Sequence, residues 1–159
     1  MKQFPSRFIH SNKHEHQLLS LIKMLPLNYR YIIEFRDNSR LNQDNLSSLV
    51  NNKYIFIATS YLKNIDSFYL PNQELYYIRL IGDRQLNRFN KIQRKQNNYI
   101  ENLQKHINLL KENKKIKQIF IVINNHFEGF SPETANKVMK VLKLTNRNYI
   151  PQKRLEDFF

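Results

Sequence analysis

The sequence predicts a parallel α/β fold on three observations. Four short runs rich in β-branched and aromatic residues, Arg30–Arg36, Tyr54–Ala58, Glu74–Leu80 and Gln118–Ile123, read as strands. Segments with apolar residues at helical spacing alternate with them, and strand–helix alternation builds a parallel sheet. The core of the last run, Ile119-Phe120-Ile121-Val122-Ile123, is apolar without a break, which predicts a strand buried on both faces.

In chain order, Phe4-Pro5 ends a strand or turn. From Ser11 onward, Leu18, Leu19, Ile22 and Leu25 mark a helix that Pro26 stops. The strand Arg30–Arg36 is followed by a short helix between Asn42 and Asn51, carrying Leu46, Leu49 and Val50. After Tyr54–Ala58 comes an irregular connection to Asn72, and after Glu74–Leu80 the turn Ile81-Gly82-Asp83-Arg84. Ile92, Tyr99, Ile100, Leu103, Ile107 and Leu110 share one face of a long helix. Beyond Gln118–Ile123, Gly129 lets the backbone turn. Ser131 is the expected N-cap and Pro132 the first residue of a helix reaching Leu144. Residues 1–145 thus make one domain, and residues 146–159 a tail without clear period.

Composition bounds the function classes. A chain of 159 residues, 41% hydrophobic and 13% aromatic, is long enough for one domain with a core and too apolar for disorder. There is no cysteine, which excludes disulfides and thiolate metal sites. No apolar run reaches the roughly 18 residues of a membrane span, and the first residues lack the apolar core of a signal peptide. A cytoplasmic location without membrane contact is the expectation. The formal charge of +13 invites a nucleic-acid reading. The abundance of Asn, Lys, Ile and Tyr offers another source for it, an AT-rich coding bias. Nine of the cations lie between Arg88 and Lys117 against Glu101 and Glu112, mostly outside the apolar stripe, as on a solvated helix face. Little aromatic interleaving accompanies them, and single-strand binders use it.

Candidate site residues gather at the carboxyl ends of the strands, where α/β enzymes hold their chemistry. Glu34 and Arg36 are two apart in a strand and share a face opposite Ile33 and Phe35. Two readings stand side by side, a structural ion pair and a charged pair lining a cleft. Arg79 repeats the pattern, either as a forked binder of carboxylate or phosphate or as a partner of Glu34 across the sheet. Asn124, Asn125 and His126 end the last strand. His10, His14 and His16 lack the spacing that puts three ligands on one helix face, so no metal is assigned, and no motif for a cofactor is present.

With Gln3-Phe4-Pro5, Tyr31-Ile32-Ile33-Glu34-Phe35-Arg36, Tyr77-Ile78-Arg79-Leu80-Ile81-Gly82-Asp83-Arg84, Phe89-Asn90-Lys91-Ile92-Gln93 and Asn124-Asn125-His126-Phe127-Glu128-Gly129-Phe130-Ser131-Pro132-Glu133-Thr134-Ala135 in hand, the chain resembles the family called domain of unknown function 72. The resemblance implies a partial TIM-barrel-like (β/α) fold. The four runs would be strands 5 to 8, leaving the C-terminal half of a barrel. It follows that a separately encoded N-terminal half or a second copy of the chain would close the open sheet. Arg40 stands where the family usually has Trp, which would remove an aromatic from the presumed mouth. Lys95-Gln96 replaces an Asp-Arg pair.

The resulting expectation is an enzyme-like protein acting on a phosphorylated or polyhydroxyl small molecule. Glu34 and His126 are the candidate acid–base groups, and Arg36, Arg79, Arg84, Asn124 and Asn125 the ligand contacts. An anion or sugar would sit between Arg79 and the Asn124–Ser131 loop, near the helix start at Pro132. A basic nucleic-acid-binding module and an inactive remnant are the alternatives.

Overall fold

The computed structural model describes residues 1–82 and 85–145. Five parallel strands form one sheet in the order of the chain: β1 (Lys2–Gln3), β2 (Tyr31–Glu34), β3 (Ile55–Leu62), β4 (Leu75–Gly82) and β5 (Gln118–Ile123). Helices α1 (Asn12–Met24), α2 (Gln43–Ser47), α3 (Asn97–Glu112), α4 (Asn125–Glu128) and α5 (Ser131–Val141) connect or follow them. The parallel α/β class is as the sequence predicts. The fifth strand is the addition: Lys2 and Gln3 pair with Ile33 and Glu34. Two residues carry no readable period, which is why only their exit at Phe4-Pro5 was legible.

Alternation along the strands separates two faces. One face carries Ile33, Phe35, Ile55 and Ile57, which pack with Leu18 of α1 and Leu46 of α2. On the same face further along, Tyr61, Tyr76, Ile78 and Leu80 pack with Ile100, Leu103 and Ile107 of α3, with Phe127 of α4 and with Val138 of α5. Tyr61 Oη donates to Asn102 Oδ1 of α3 and is bonded to Tyr69 Oη, both at 2.8 Å. Burial pushes both phenols above their ordinary range, so they persist as protonated donors.

Side-chain bonds run across the other face. Arg79 of β4 donates to Glu34 of β2 at 2.6 Å and to Gln3 of β1 at 3.3 Å. At the opposite end, Arg30 donates to Gln118 at 3.1 Å, joining the approach to β2 with the start of β5.

Several local expectations are corrected. The last strand is not buried on both faces: β5 is the sheet's outer strand among the described residues, and Phe120 is 46% exposed. An uninterrupted apolar run cannot distinguish a central strand from an edge whose neighbour lies elsewhere. Strand β3 runs on to Leu62, four residues beyond the expected end, because Thr59, Ser60 and Tyr61 continue the pairing with β4. Helix α3 begins at Asn97 and leaves Ile92 in the preceding loop. Ser131 is the first helical residue rather than the N-cap, which is Phe130. The Ser131 N–H is instead capped by Asn125 Oδ1 at 2.9 Å. The helix ends at Val141, short of Leu144. The tail and Arg84 lie outside the described residues.

Candidate functional site at the carboxyl ends of the strands

Glu34 is the centre of the site. Its side chain is fully buried and each oxygen has its own guanidinium: Arg36 Nε donates to Oε1 at 2.9 Å, and Arg79 Nη1 to Oε2 at 2.6 Å. Gln3 Oε1 accepts from the same two arginines, from Arg36 Nη2 at 2.8 Å and from Arg79 Nη1. The two-residue spacing of Glu34 and Arg36 predicts a shared face; β2 ends at Glu34, and Arg36, just past it, still folds back onto the Glu34 carboxylate. The tertiary structure decides that Arg79 joins them. It reaches over β3 because β3 presents the small Ala58 and Ser60 on this face, in register with Tyr77 and Arg79. Of the two readings of Arg79, the structure bears out the partner of Glu34. It pairs with Glu34 across the sheet, and one of its donors is left over, because its Nε is buried without a hydrogen-bond partner among the described residues.

An open cleft of about 700 Å³ lies over this end of the sheet. Gln3, Arg36, Asp37, Lys63 and Asn64 supply its polar lining. Two guanidiniums oppose the one buried carboxylate, and the cleft wall adds Lys63. The local balance is cationic, and forked guanidiniums suit carboxylate and phosphate.

The residues after β5 form a separate group. The backbone N–H of Asn124 donates to Leu80 O at 2.9 Å, which brings this chain segment beside the end of β4. The Asn125 side chain is used by Ser131 N–H. His126 packs edge-on against Phe89, with ring centroids 4.8 Å apart, and its carbonyl lies against Gly82. Glu128 is fully buried and saturated. Its Oε1 accepts from Gln96 N–H and Lys137 Nζ, both at 2.8 Å, and its Oε2 from Thr134 Oγ1 at 3.0 Å. Glu128 thus clamps the start of α3 to α5. At the helix opening the Ser131 N–H is taken by Asn125, and of the expected site residues among the described ones the structure brings together Glu34, Arg36 and Arg79.

Gln3 and Ser60 belong to the cluster and were missed. Gln3 had no periodic signal, and Ser60 lay past the expected end of its strand. Arg40 is not at the mouth. It is 2% exposed, its guanidinium lies 4.7 Å from the Phe8 ring centroid and 5.7 Å from that of Phe35, and it donates to Glu15 at 2.5 Å. A planar cation stacked between aromatic rings fills a core position there. His14 stacks on Phe8 at 4.5 Å, and no group of three or more potential metal ligands occurs among the described residues. Nor is any helix among them long and apolar enough to cross a membrane.

Comparison with known proteins places this arrangement in a family. A solved structure of a DUF72 family protein from Enterococcus faecalis V583 superposes with a TM-score of 0.67 at 16% identity, over 96% of this chain and 61% of the other. A second structure of that protein gives 0.65 at 20% identity, over 90% and 60%. A DUF72 family protein from Thermotoga maritima MSB8 gives 0.66 at 20% identity, over 89% and 56%. The chain therefore spans about three-fifths of the length of these proteins. At such identities the likeness shows the fold alone. No curated protein matches the chain. The family model described as "Protein of unknown function DUF72" matches residues 1–156, so the idea that only the C-terminal half of the family pattern is represented is not borne out. With this match along nearly its whole length and the fold of its solved relatives, the chain belongs to the DUF72 family.

Proposed function

We propose that the chain binds an anionic small molecule, a carboxylate or phosphate ester, in the cleft over Glu34, Arg36 and Arg79, as an enzyme-like site of its family. The observation that carries this reading is the convergence of two guanidiniums on a single buried carboxylate, with one of them, Arg36, and their shared acceptor Gln3 lining an open cleft. In this role Glu34 orients the arginines. For it to move a proton, a ligand would first have to take over one guanidinium. His126 stands with the group that follows β5, so it contacts a ligand only if that ligand extends across the sheet. A polyhydroxyl portion would be met by Gln3 and Asn64.

A thermal-shift and calorimetric screen tests the proposal with inorganic phosphate, sugar phosphates, dicarboxylates and neutral sugars. A ligand present at 100 times its Kd stabilises by about 2.7 kcal/mol, which raises Tm by about 5–10 °C for a chain of this size. The expected result is stabilisation by anions that vanishes in Arg36→Ala and persists in Lys114→Ala. Stabilisation by neutral sugars only, or by anions regardless of Arg36, would overturn it.

The reading extends to a partner, a second copy of the chain. Strand β5 contains no charged residue, proline or glycine, and its outer edge is open among the described residues. Such an edge is a template for further strand pairing. The chain alone is expected to self-associate at micromolar concentration in light scattering, more strongly as salt screens its positive charge. Phe120→Lys should shift it towards monomer. A monomer that unfolds cooperatively and shows no association at 100 µM, about the upper end of the range in which exposed edges associate, would remove the partner.

A further inference from the structure

Three buried side-chain polar atoms lack a hydrogen-bond partner among the described residues: Arg40 Nη2, Ser60 Oγ and Arg79 Nε. Arg40 belongs to the aromatic stack already described. The other two lie side by side, because Ser60 and Arg79 are directly paired across β3 and β4 and point to the same face. Ser60 is 5% exposed and the Arg79 side chain 12%. Arg79 beside it offers the Ser60 hydroxyl no acceptor. A hydroxyl and a guanidinium N–H left unbonded in a buried position call for an oxygen that accepts from both. The nearest carboxylate, Glu34, is already bound through both oxygens.

We infer that Ser60 Oγ and Arg79 Nε form a two-donor seat for one oxygen of the bound oxyanion, at the floor of the cationic cluster. This deepens the anion-binding reading above and rests on it. The group seated there is acceptor-only, a carboxylate or a phosphoryl oxygen. A hydroxyl could accept from both donors, but an oxyanion is preferred because a charged acceptor makes the stronger, charge-assisted bond to the guanidinium. Ser60 is then a specificity residue that discriminates oxyanions from neutral polyols, while Glu34 holds the Arg79 fork at the angle that aims Nε at the seat.

The test uses the whole chain with inorganic phosphate and with succinate as probes, and measures Kd by calorimetry for the parent, Ser60→Ala, Arg79→Lys and Arg36→Ala. A hydrogen bond to a charged group lost from a buried site weakens binding by about 10- to 100-fold. Ser60→Ala is expected to weaken at least one anion by that factor, with the Tm of the unliganded protein unchanged or raised, since the hydroxyl has no partner to lose. Arg79→Lys keeps the charge but removes Nε, and should weaken the same anion by a similar factor. The anion so affected identifies the source, carboxylate or phosphate. If Ser60→Ala binds both probes as the parent does while Arg36→Ala loses them, the seat is refuted and the anion cleft stands. A drop in the unliganded Tm of Ser60→Ala with unchanged affinity would assign the hydroxyl to a buried water and likewise refute the seat. Failure of the parent to bind either probe would remove both.

Discussion

Glu34→Gln is expected to lower stability by about 3–5 kcal/mol, the usual consequence of removing one member of a buried charge cluster. The reason is what remains. Arg36 and Arg79 are 13% and 12% exposed, and each has an ion-pair bond to Glu34. With glutamine at position 34, two guanidiniums would face each other with only two neutral amide oxygens between them, that of the substituted side chain and that of Gln3. A loss of that size corresponds to a fall in Tm of about 6–20 °C for a domain of this length. Arg79→Met added to Glu34→Gln removes one of the two uncompensated charges, and should recover part of the loss. Thermal and urea unfolding of the single and double variants decide the matter. A Tm within 2 °C of the parent for Glu34→Gln would show that solvent in the cleft already satisfies the arginines.

Gly82→Ala is expected to be at least as severe. Gly82 ends β4 with φ of +79°, a conformation that side chains with a Cβ rarely adopt. A Cβ there would lie 2.2 Å from the carbonyl oxygen of His126 and 2.8 Å from Cα of Phe127. Those atoms are backbone of α4 and cannot rotate away, so α4 would have to move off the sheet, taking buried Phe127 and Glu128 with it. Backbone strain of about 1–3 kcal/mol and overpacking of a similar size act together. The expected outcome is a protein that unfolds at least 10 °C earlier or is recovered in aggregates, the former following from about 2–4 °C per kcal/mol. Gly82→Ala at parental Tm would mean that the β4–α4 contact is loose.

These two positions also mark where sequence reasoning succeeds and where it stops. The apolar runs, the helical stripes of α1 and α3 and the two-residue spacing of Glu34 and Arg36 all depend on local periodicity. Each was legible because the backbone fixes which side chains share a face. The family motifs were legible for the same reason, as contiguous strings. Arg79 and Asn125 were legible as residue types, but their partners were not: Arg79 meets Glu34 from 45 residues away, and Asn125 turns to the N–H of Ser131.

By itself, the sequence determined the parallel α/β class, the family and the face on which Glu34 and Arg36 stand. Tertiary structure alone decided the rest. The strand order β2-β3-β4 lets Arg79 reach over small Ala58 and Ser60 to Glu34. The place of β5 at the sheet edge exposes Phe120 despite its apolar neighbours. Arg40 moved from a presumed mouth into an aromatic core, and Glu128 became a saturated clamp between α3 and α5. In each case the outcome depends on which groups from distant segments arrive within hydrogen-bonding or van der Waals distance. That is a property of strand order and packing, to which spacing along the chain is blind.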